Sequence, residues 1–179
     1  MAYAYYEKIA RINLTTGTIT VEKLATDLAK KFIGGRGLGT KIVNDEGCAT
    51  VDPLGPDNKL VYITGPLTGA GAPSSGRYMV VTKSPLPGMI ACANSGGIWG
   101  AKLKYAGWDA LIVEGEAPEW TYVNIVDDKI ELLPASEYLG LYSEELDEKL
   151  KESTARIPPF CPSASPVRPF SRMLTMTSL

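Results

Sequence analysis

One stretch, Gly65 to Gly107, constrains this 179-residue chain most: GPLTGAGAPSSGRYMVVTKSPLPGMIACANSGGIWGAKLKYAG holds nine of the chain's 18 glycines. Two Gly-rich loops, Gly65–Gly76 and Ala93–Gly100, flank the apolar run Tyr78–Val81. Glycine reaches positive φ and lets another group approach the backbone closely. Loops of this kind expose N–H groups that cradle anions, and they equally serve as tight turns between strands. Composition alone leaves both readings open. Arg77, the one arginine in the stretch, directly follows the first loop. Its guanidinium suits a forked contact with phosphate or a stack on a flat ring.

The remaining composition narrows the function classes. The length suits one domain, with room for two similar halves, and an apolar content of 45% supports a full core. A net charge of −2 and a pI near 5.3 argue against nucleic acid as the main partner. No apolar run approaches the ~20 residues of a membrane span. The N-terminus MAYAYYEKIARINL lacks the segments of a signal peptide, so a cytoplasmic location is expected. Cys48, Cys92 and Cys161 are widely separated and form neither a disulfide framework nor a CxxC site. Cys92 reads as a small buried hydrophobe. With no histidine, a Ser-His or Cys-His hydrolase cannot be built from this chain.

Lys8–Leu14 and Thr18–Val21 read as a hairpin around Thr15-Thr16-Gly17. Leu24, Leu28 and Phe32 recur every four residues, the apolar face of a short helix that Gly34 and Gly35 are expected to end. The run Gly34–Gly39 follows a helix and lacks GxGxxG spacing, which removes a dinucleotide loop and favours a helix–loop–helix connection with close backbone contact. Arg36 within it reads as a surface charge or a second anion contact. Leu38–Glu46 suits another short helix, and Thr50–Asn58 a loop. Lys59–Thr64, Tyr78–Thr82, Gly88–Ala93 and Trp108–Glu114 read as strands, the last buried on both faces. Ile98–Tyr105 reads as a helix whose start, after the Asn94–Gly97 loop, is the best phosphate candidate. Thr121–Val126 and Lys129–Leu133 form a second hairpin, followed by the amphipathic helix Ser143–Glu152 with Ser143 as N-cap. This hairpin-then-helix unit echoes residues 8–33 and suggests two related halves. Strands Tyr78–Thr82 and Gly88–Ala93, paired antiparallel, would bring Arg77 beside the Asn94 loop at one sheet edge.

After Ser153 the character changes. Residues 154–179 hold five prolines, three arginines and no acidic residue, whereas residues 1–153 carry 15 basic and 20 acidic side chains. The division is therefore a domain over 1–153 and an irregular tail over 154–179, expected without regular structure.

Taken together, the loops resemble the tungsten-containing aldehyde:ferredoxin oxidoreductases. The blocks that carry the resemblance are Arg11-Ile-Asn-Leu-Thr-Thr-Gly, Gly35-Arg-Gly-Leu, Thr50-Val-Asp-Pro-Leu, Gly65-Pro-Leu-Thr-Gly, Gly76-Arg-Tyr, Val81-Thr-Lys-Ser-Pro-Leu, Ala93-Asn-Ser-Gly-Gly and Leu103-Lys-Tyr-Ala-Gly-Trp-Asp-Ala. Their order fits that family's N-terminal domain over residues 5–153. The resemblance implies an α+β fold of mostly antiparallel sheets and short helices, the base for a bis-molybdopterin tungsten (or molybdenum) cofactor. It implies that Arg77 contacts the pterin, that Asn94, Ser95 and Gly96 approach the pterin and its phosphates, and that the Asn94 carbonyl helps hold Mg²⁺.

The implied reaction oxidises an aldehyde to a carboxylic acid, with electrons leaving through a [4Fe–4S] cluster to ferredoxin. The cluster cysteines, the acid–base residues and the second pterin segment have no counterpart in this sequence, so the resemblance implies no turnover by this chain alone. A frameshift near Thr154 is one account of the tail. A non-catalytic pterin or phosphate carrier and a subunit completed by a Cys-bearing chain are the alternatives. A homo-oligomer or a complementing chain are the partners left open, with no role for nucleic acid or membrane.

Overall fold

The structure, a computed structural model, describes residues 4–153 and 176–178. Strands β1 (Lys8–Asn13) and β2 (Thr18–Lys23) form the predicted hairpin, with Asn13 opposite Thr18. Helices α1 (Thr26–Phe32) and α2 (Gly35–Asp45) follow. Then come β3 (Leu60–Ile63), β4 (Tyr78–Lys83), β5 (Ile90–Ser95), helix α3 (Trp99–Tyr105) and β6 (Ala110–Glu114). These strands make a six-stranded sheet in the order β2-β1-β6-β3-β4-β5. Only the β1–β6 pair in it is parallel. The fold is therefore the expected α+β class with a mostly antiparallel sheet.

Both faces of this sheet are covered. On one face Ile9, Val61, Ile63, Val81, Ala110 and Ile112 pack with Leu24, Leu38 and Val43 from the α1–α2 side. On the other face Ala10, Ile12, Leu111 and Val113 pack against Trp99, Leu103, Ala106 and Trp108, and against Val123 and Ile125 of a second sheet. The apolar run Ala110–Val113 thus splits its side chains between two cores, as a strand buried on both faces requires. Helix α3 and its C-cap put Trp99, Leu103 and Ala106, spaced at i, i+4 and i+7, into the second of these cores.

The second sheet comprises β7 (Thr121–Val126), β8 (Lys129–Pro134) and β9 (Met176–Ser178), with β7 central. Helix α4 (Ser143–Ser153) packs Leu146 and Leu150 onto Tyr122. Its expected N-cap moves by one residue: Ser143 is already helical, and Glu145 accepts from the Tyr142 N–H at 3.1 Å, the return half of a capping box. The echo between halves survives as topology. Strands β1 and β7 each pair antiparallel with the next strand and parallel on the other side, with β6 and β9. Strand β9, at the edge of this sheet, is the part of the 154–179 tail that the structure describes. Three residues of backbone suffice to pair with the open edge of β7, and no hydrophobic period is needed for that. Cys161 and the segment around Thr154 lie outside the described residues.

The glycine run after α1 plays a different part from the one its sequence suggests. Helix α1 ends at Phe32, and Ile33, not a glycine, takes positive φ (64°). Gly34 is the N-cap of α2, which starts at Gly35 rather than Leu38. A Cβ on Gly34 would lie 2.9 Å from the Thr64 carbonyl oxygen, and one on Gly39 would lie 2.7 Å from Val81 Cγ2 and 3.1 Å from Ile63 Cγ2. The glycines let α2 sit directly on β3 and β4, a close contact that overrides their poor helix propensity. Gly39→Ala should accordingly destabilise the chain by about 1–3 kcal/mol, the cost of forcing a methyl into a filled core. Urea denaturation checks this, and a variant as stable as the parent would contradict the packing.

Candidate cofactor-binding site

The first Gly-rich loop leaves β3 and enters β4, and β5 returns antiparallel with Tyr78 opposite Ser95 and Met79 opposite Asn94. This register carries Arg77 to the end of β5, and its guanidinium donates a hydrogen bond to Asn94 Oδ1. The predicted meeting of Arg77 with Asn94 is therefore present. One detail differs: Asn94 and Ser95 are the last residues of strand β5 rather than loop residues. The ladder with β4 extends that far because Tyr78 and Met79 continue the pairing. Strand β5 is a sheet edge, so half of its N–H and C=O groups point away from β4.

The two Gly-rich loops interlock. A Cβ on Gly76 would stand 3.0 Å from the Gly97 carbonyl oxygen, and one on Gly100 would stand 3.2 Å from both the Gly76 carbonyl oxygen and Tyr78 Cβ. Helix α3 anchors the pair. The Tyr78 and Trp99 rings lie 4.3 Å apart between centroids, and the Tyr105 hydroxyl donates to the Gly69 carbonyl at 3.0 Å. Helix α3 starts at Trp99, one residue later than the sequence suggests, with Ile98 as its N-cap and no side-chain cap there.

The surface beside this junction is open. Nothing lies within 4 Å of where a Cβ on Gly96 or Gly71 would be. Arg77 and Asn94 are exposed, and Ser95 and Gly96 are half-buried. Among the described residues no carboxylate pairs with Arg77, whose contact is the neutral Asn94 amide. A cation with spare donors beside open glycine backbone fits an anionic, flat ligand, as a pterin phosphate is. Arg36 is exposed in the first turn of α2. Cys92 is half-buried on β5 rather than buried, with its Sγ 4.0 Å from Met79 Sδ. Among the described residues no group of three His, Cys, Asp or Glu side chains could hold a metal ion.

Sequence reasoning missed Thr68. It is buried in the first loop, and its Oγ1 accepts from the Gly65 N–H at 3.0 Å and donates to the Arg77 carbonyl at 3.3 Å. The available signal was a threonine closing Gly65-Pro-Leu-Thr-Gly, a residue type that bonds nearby backbone in turns. A second polar centre, at the opposite end of the sheet, was also missed. Arg11 binds Glu22 (2.5 Å), Glu46 (2.5 Å) and Glu114 (3.0 Å), and Lys59 reaches Glu114 at 3.1 Å. Burial pushes the Glu114 carboxyl up, but its bonds and attractions to Lys59 and Arg11 outweigh that and hold it below the ordinary carboxylate value. The hydrogen bonds to Glu46 and then Glu22 raise Arg11 above the ordinary arginine value.

Residues 9–163 match the family described as the aldehyde ferredoxin oxidoreductase N-terminal domain. The chain belongs to this family. The chain is 51% identical over 150 residues to the tungsten-containing aldehyde ferredoxin oxidoreductase of Pyrococcus abyssi, covering 84% of this chain and 25% of that protein. It is 38% identical over 153 residues to the aliphatic sulfonate oxidoreductase WOR-like subunit of Pyrococcus furiosus, covering 83% and 24%. Among solved structures it is similar to the active site complex BamBC of benzoyl coenzyme A reductase in complex with 1,5 dienoyl-CoA. That similarity has a TM-score of 0.82 at 34% identity and covers 86% of this chain and 23% of that one. The chain spans about a quarter of the length of the curated relatives it matches. Among the described residues no helix is long and apolar enough to cross a membrane.

Proposed function

We propose that this domain is the base on which a bis-pterin tungsten (or molybdenum) cofactor rests, in an oxidoreductase that converts aldehydes to carboxylic acids and passes electrons to ferredoxin. The observation that carries the reading is the convergence of Arg77, Asn94, Ser95 and the open Gly96 backbone at one end of the sheet. The names of the relatives supply tungsten, aldehyde and ferredoxin.

In this reading Arg77 neutralises and orients a pterin phosphate, keeping the bond to Asn94 that fixes its direction. Gly96 admits the ligand edge, where a side chain would stand in the way. Ser95 offers a hydroxyl donor, and the Asn94 carbonyl is a hard oxygen of the kind Mg²⁺ takes. When bound, the tungsten-pterin group supplies the two-electron redox chemistry. The cluster that relays electrons is held outside these 179 residues, whose three cysteines lack the spacing of a [4Fe–4S] ligand set. A second reading, a subunit completed by another chain, draws on the solved neighbour, which is an active site complex.

Molybdopterin released anaerobically from a pterin enzyme and titrated calorimetrically onto the chain tests the proposal. Arg77→Ala should weaken binding by roughly 1.5–3 kcal/mol, the range for a charged hydrogen bond, with little change in melting temperature because the side chain is exposed. Equal affinity of the parent and Arg77→Ala would sink the reading.

A further inference from the structure

We propose that Thr68 is a positioning residue for Arg77, setting where the guanidinium is presented; the inference rests on the cofactor reading above. The first Gly-rich loop runs from Gly65 to Gly76 and contains several residues with spare backbone freedom, including Gly69 and Gly71 at positive φ (78° and 75°). A loop so rich in glycine has no intrinsic reason to end at one fixed place. Thr68 supplies that reason. Its single hydroxyl bridges the two ends of the loop, accepting from Gly65 N–H and donating to the Arg77 carbonyl. Its own N–H closes a turn onto the Gly65 carbonyl at 3.2 Å. Its Cγ2 stands 3.4 Å from where a Cβ on Gly100 would be, so the methyl is wedged against α3.

These contacts form a short chain of constraints. Gly65 is held in turn by the sheet, since the preceding Thr64 N–H donates to the Asp109 carbonyl at 3.1 Å and its Oγ1 donates to the same oxygen at 2.9 Å. Thr68 passes that fixed position to the backbone of Arg77. Asn94 then fixes the guanidinium end. A residue whose backbone and head group are both held enters binding with little ordering left to lose, which is the physical content of preorganisation. Thr68 itself is buried, so it acts through Arg77 and not on the ligand.

Thr68→Val keeps the shape and removes the hydroxyl, leaving Gly65 N–H and the Arg77 carbonyl without this partner. Thr68→Ser keeps the hydroxyl and removes the methyl. Thr68→Ala, which introduces no misplaced methyl, is measured beside them in case the valine variant does not fold. Thr68→Val and Thr68→Ala should bind molybdopterin about fivefold more weakly, the factor for one hydrogen bond of average strength. Thr68→Ser should bind as the parent does, a rescue that general loosening of the fold would not produce. In the ligand-free chain, the Arg77 Nε–H resonance should shift in the valine and alanine variants and return in the serine variant.

Parent-like binding by Thr68→Val or Thr68→Ala, with Arg77→Ala still weakened, would overturn the role of Thr68 and leave the cofactor reading intact. No loss on Arg77→Ala would instead remove the cofactor reading. In that event an unchanged Arg77 Nε–H resonance in Thr68→Val and Thr68→Ala would overturn the positioning role as well.

Discussion

Lys104→Met should cost about 3–5 kcal/mol of stability, the effect of leaving one member of a buried ion pair alone. Lys104 and Asp109 are 4% and 3% exposed, and the ammonium bonds Asp109 Oδ1 and the Ala4 carbonyl, the latter at 2.9 Å. Asp109 Oδ2 is buried with no hydrogen-bond partner, so the lysine is what compensates this carboxylate. Asp109 also anchors strands: its N–H donates to Lys8 O at 2.9 Å and its carbonyl accepts from Thr64. The loss should therefore appear as global unfolding rather than local fraying. Denaturation by urea measures it. The double variant Lys104→Met with Asp109→Leu should recover most of the loss, because it removes the uncompensated charge. A single variant as stable as the parent, or a double variant no better than the single, would contradict this account.

Arg11→Met should destabilise the chain at neutral pH by roughly 2–4 kcal/mol, below the full figure for a buried pair because the Arg11 side chain keeps 20% of its exposure. The substitution leaves Glu22, Glu46 and Glu114 close together with Lys59 as the remaining cation near Glu46 and Glu114. The effect depends on pH in a fixed direction. The Glu114 carboxyl is held below its ordinary value of 4.5, so its contribution is complete above that value and is lost as pH falls through the lower folded value. The difference between parent and variant should therefore shrink as pH drops below about 4.5. Melting temperatures followed from pH 7 to pH 3 check this, and a gap that widens toward acid would overturn it.

Much of the scaffold was legible before any coordinates. Partial alternation over Lys8–Asn13 and the continuous apolar run Ala110–Val113 mark two strands, the second buried on both sides, because side-chain period is a local property. Pro85 and Pro87 mark the β4–β5 turn for the same reason. The position of Arg77 beside Asn94 was also derivable, since an antiparallel pair joined by a short turn places the start of one strand next to the end of the other. The ligand proposed for the site came from the resemblance, because Gly-rich loops by themselves do not distinguish a turn from a cradle.

Tertiary structure decided the rest. Gly34 and Gly35 look like the end of α1, yet they begin α2, because the closeness of α2 to Thr64 and Val81 is set by residues about 30 and 40 positions away. Arg11 and Glu114 are 103 residues apart, and Lys104 and Asp109 become buried only when α3 closes over the sheet. Thr68 looks like one more turn residue until its hydroxyl is seen to reach both Gly65 and Arg77. The sequence by itself determined which segments between Lys8 and Pro134 are strands and which carry the glycine, but not the short edge strand β9. Burial and long-range pairing decided which polar groups meet, since desolvation and Coulomb attraction depend on distances that sequence order does not contain.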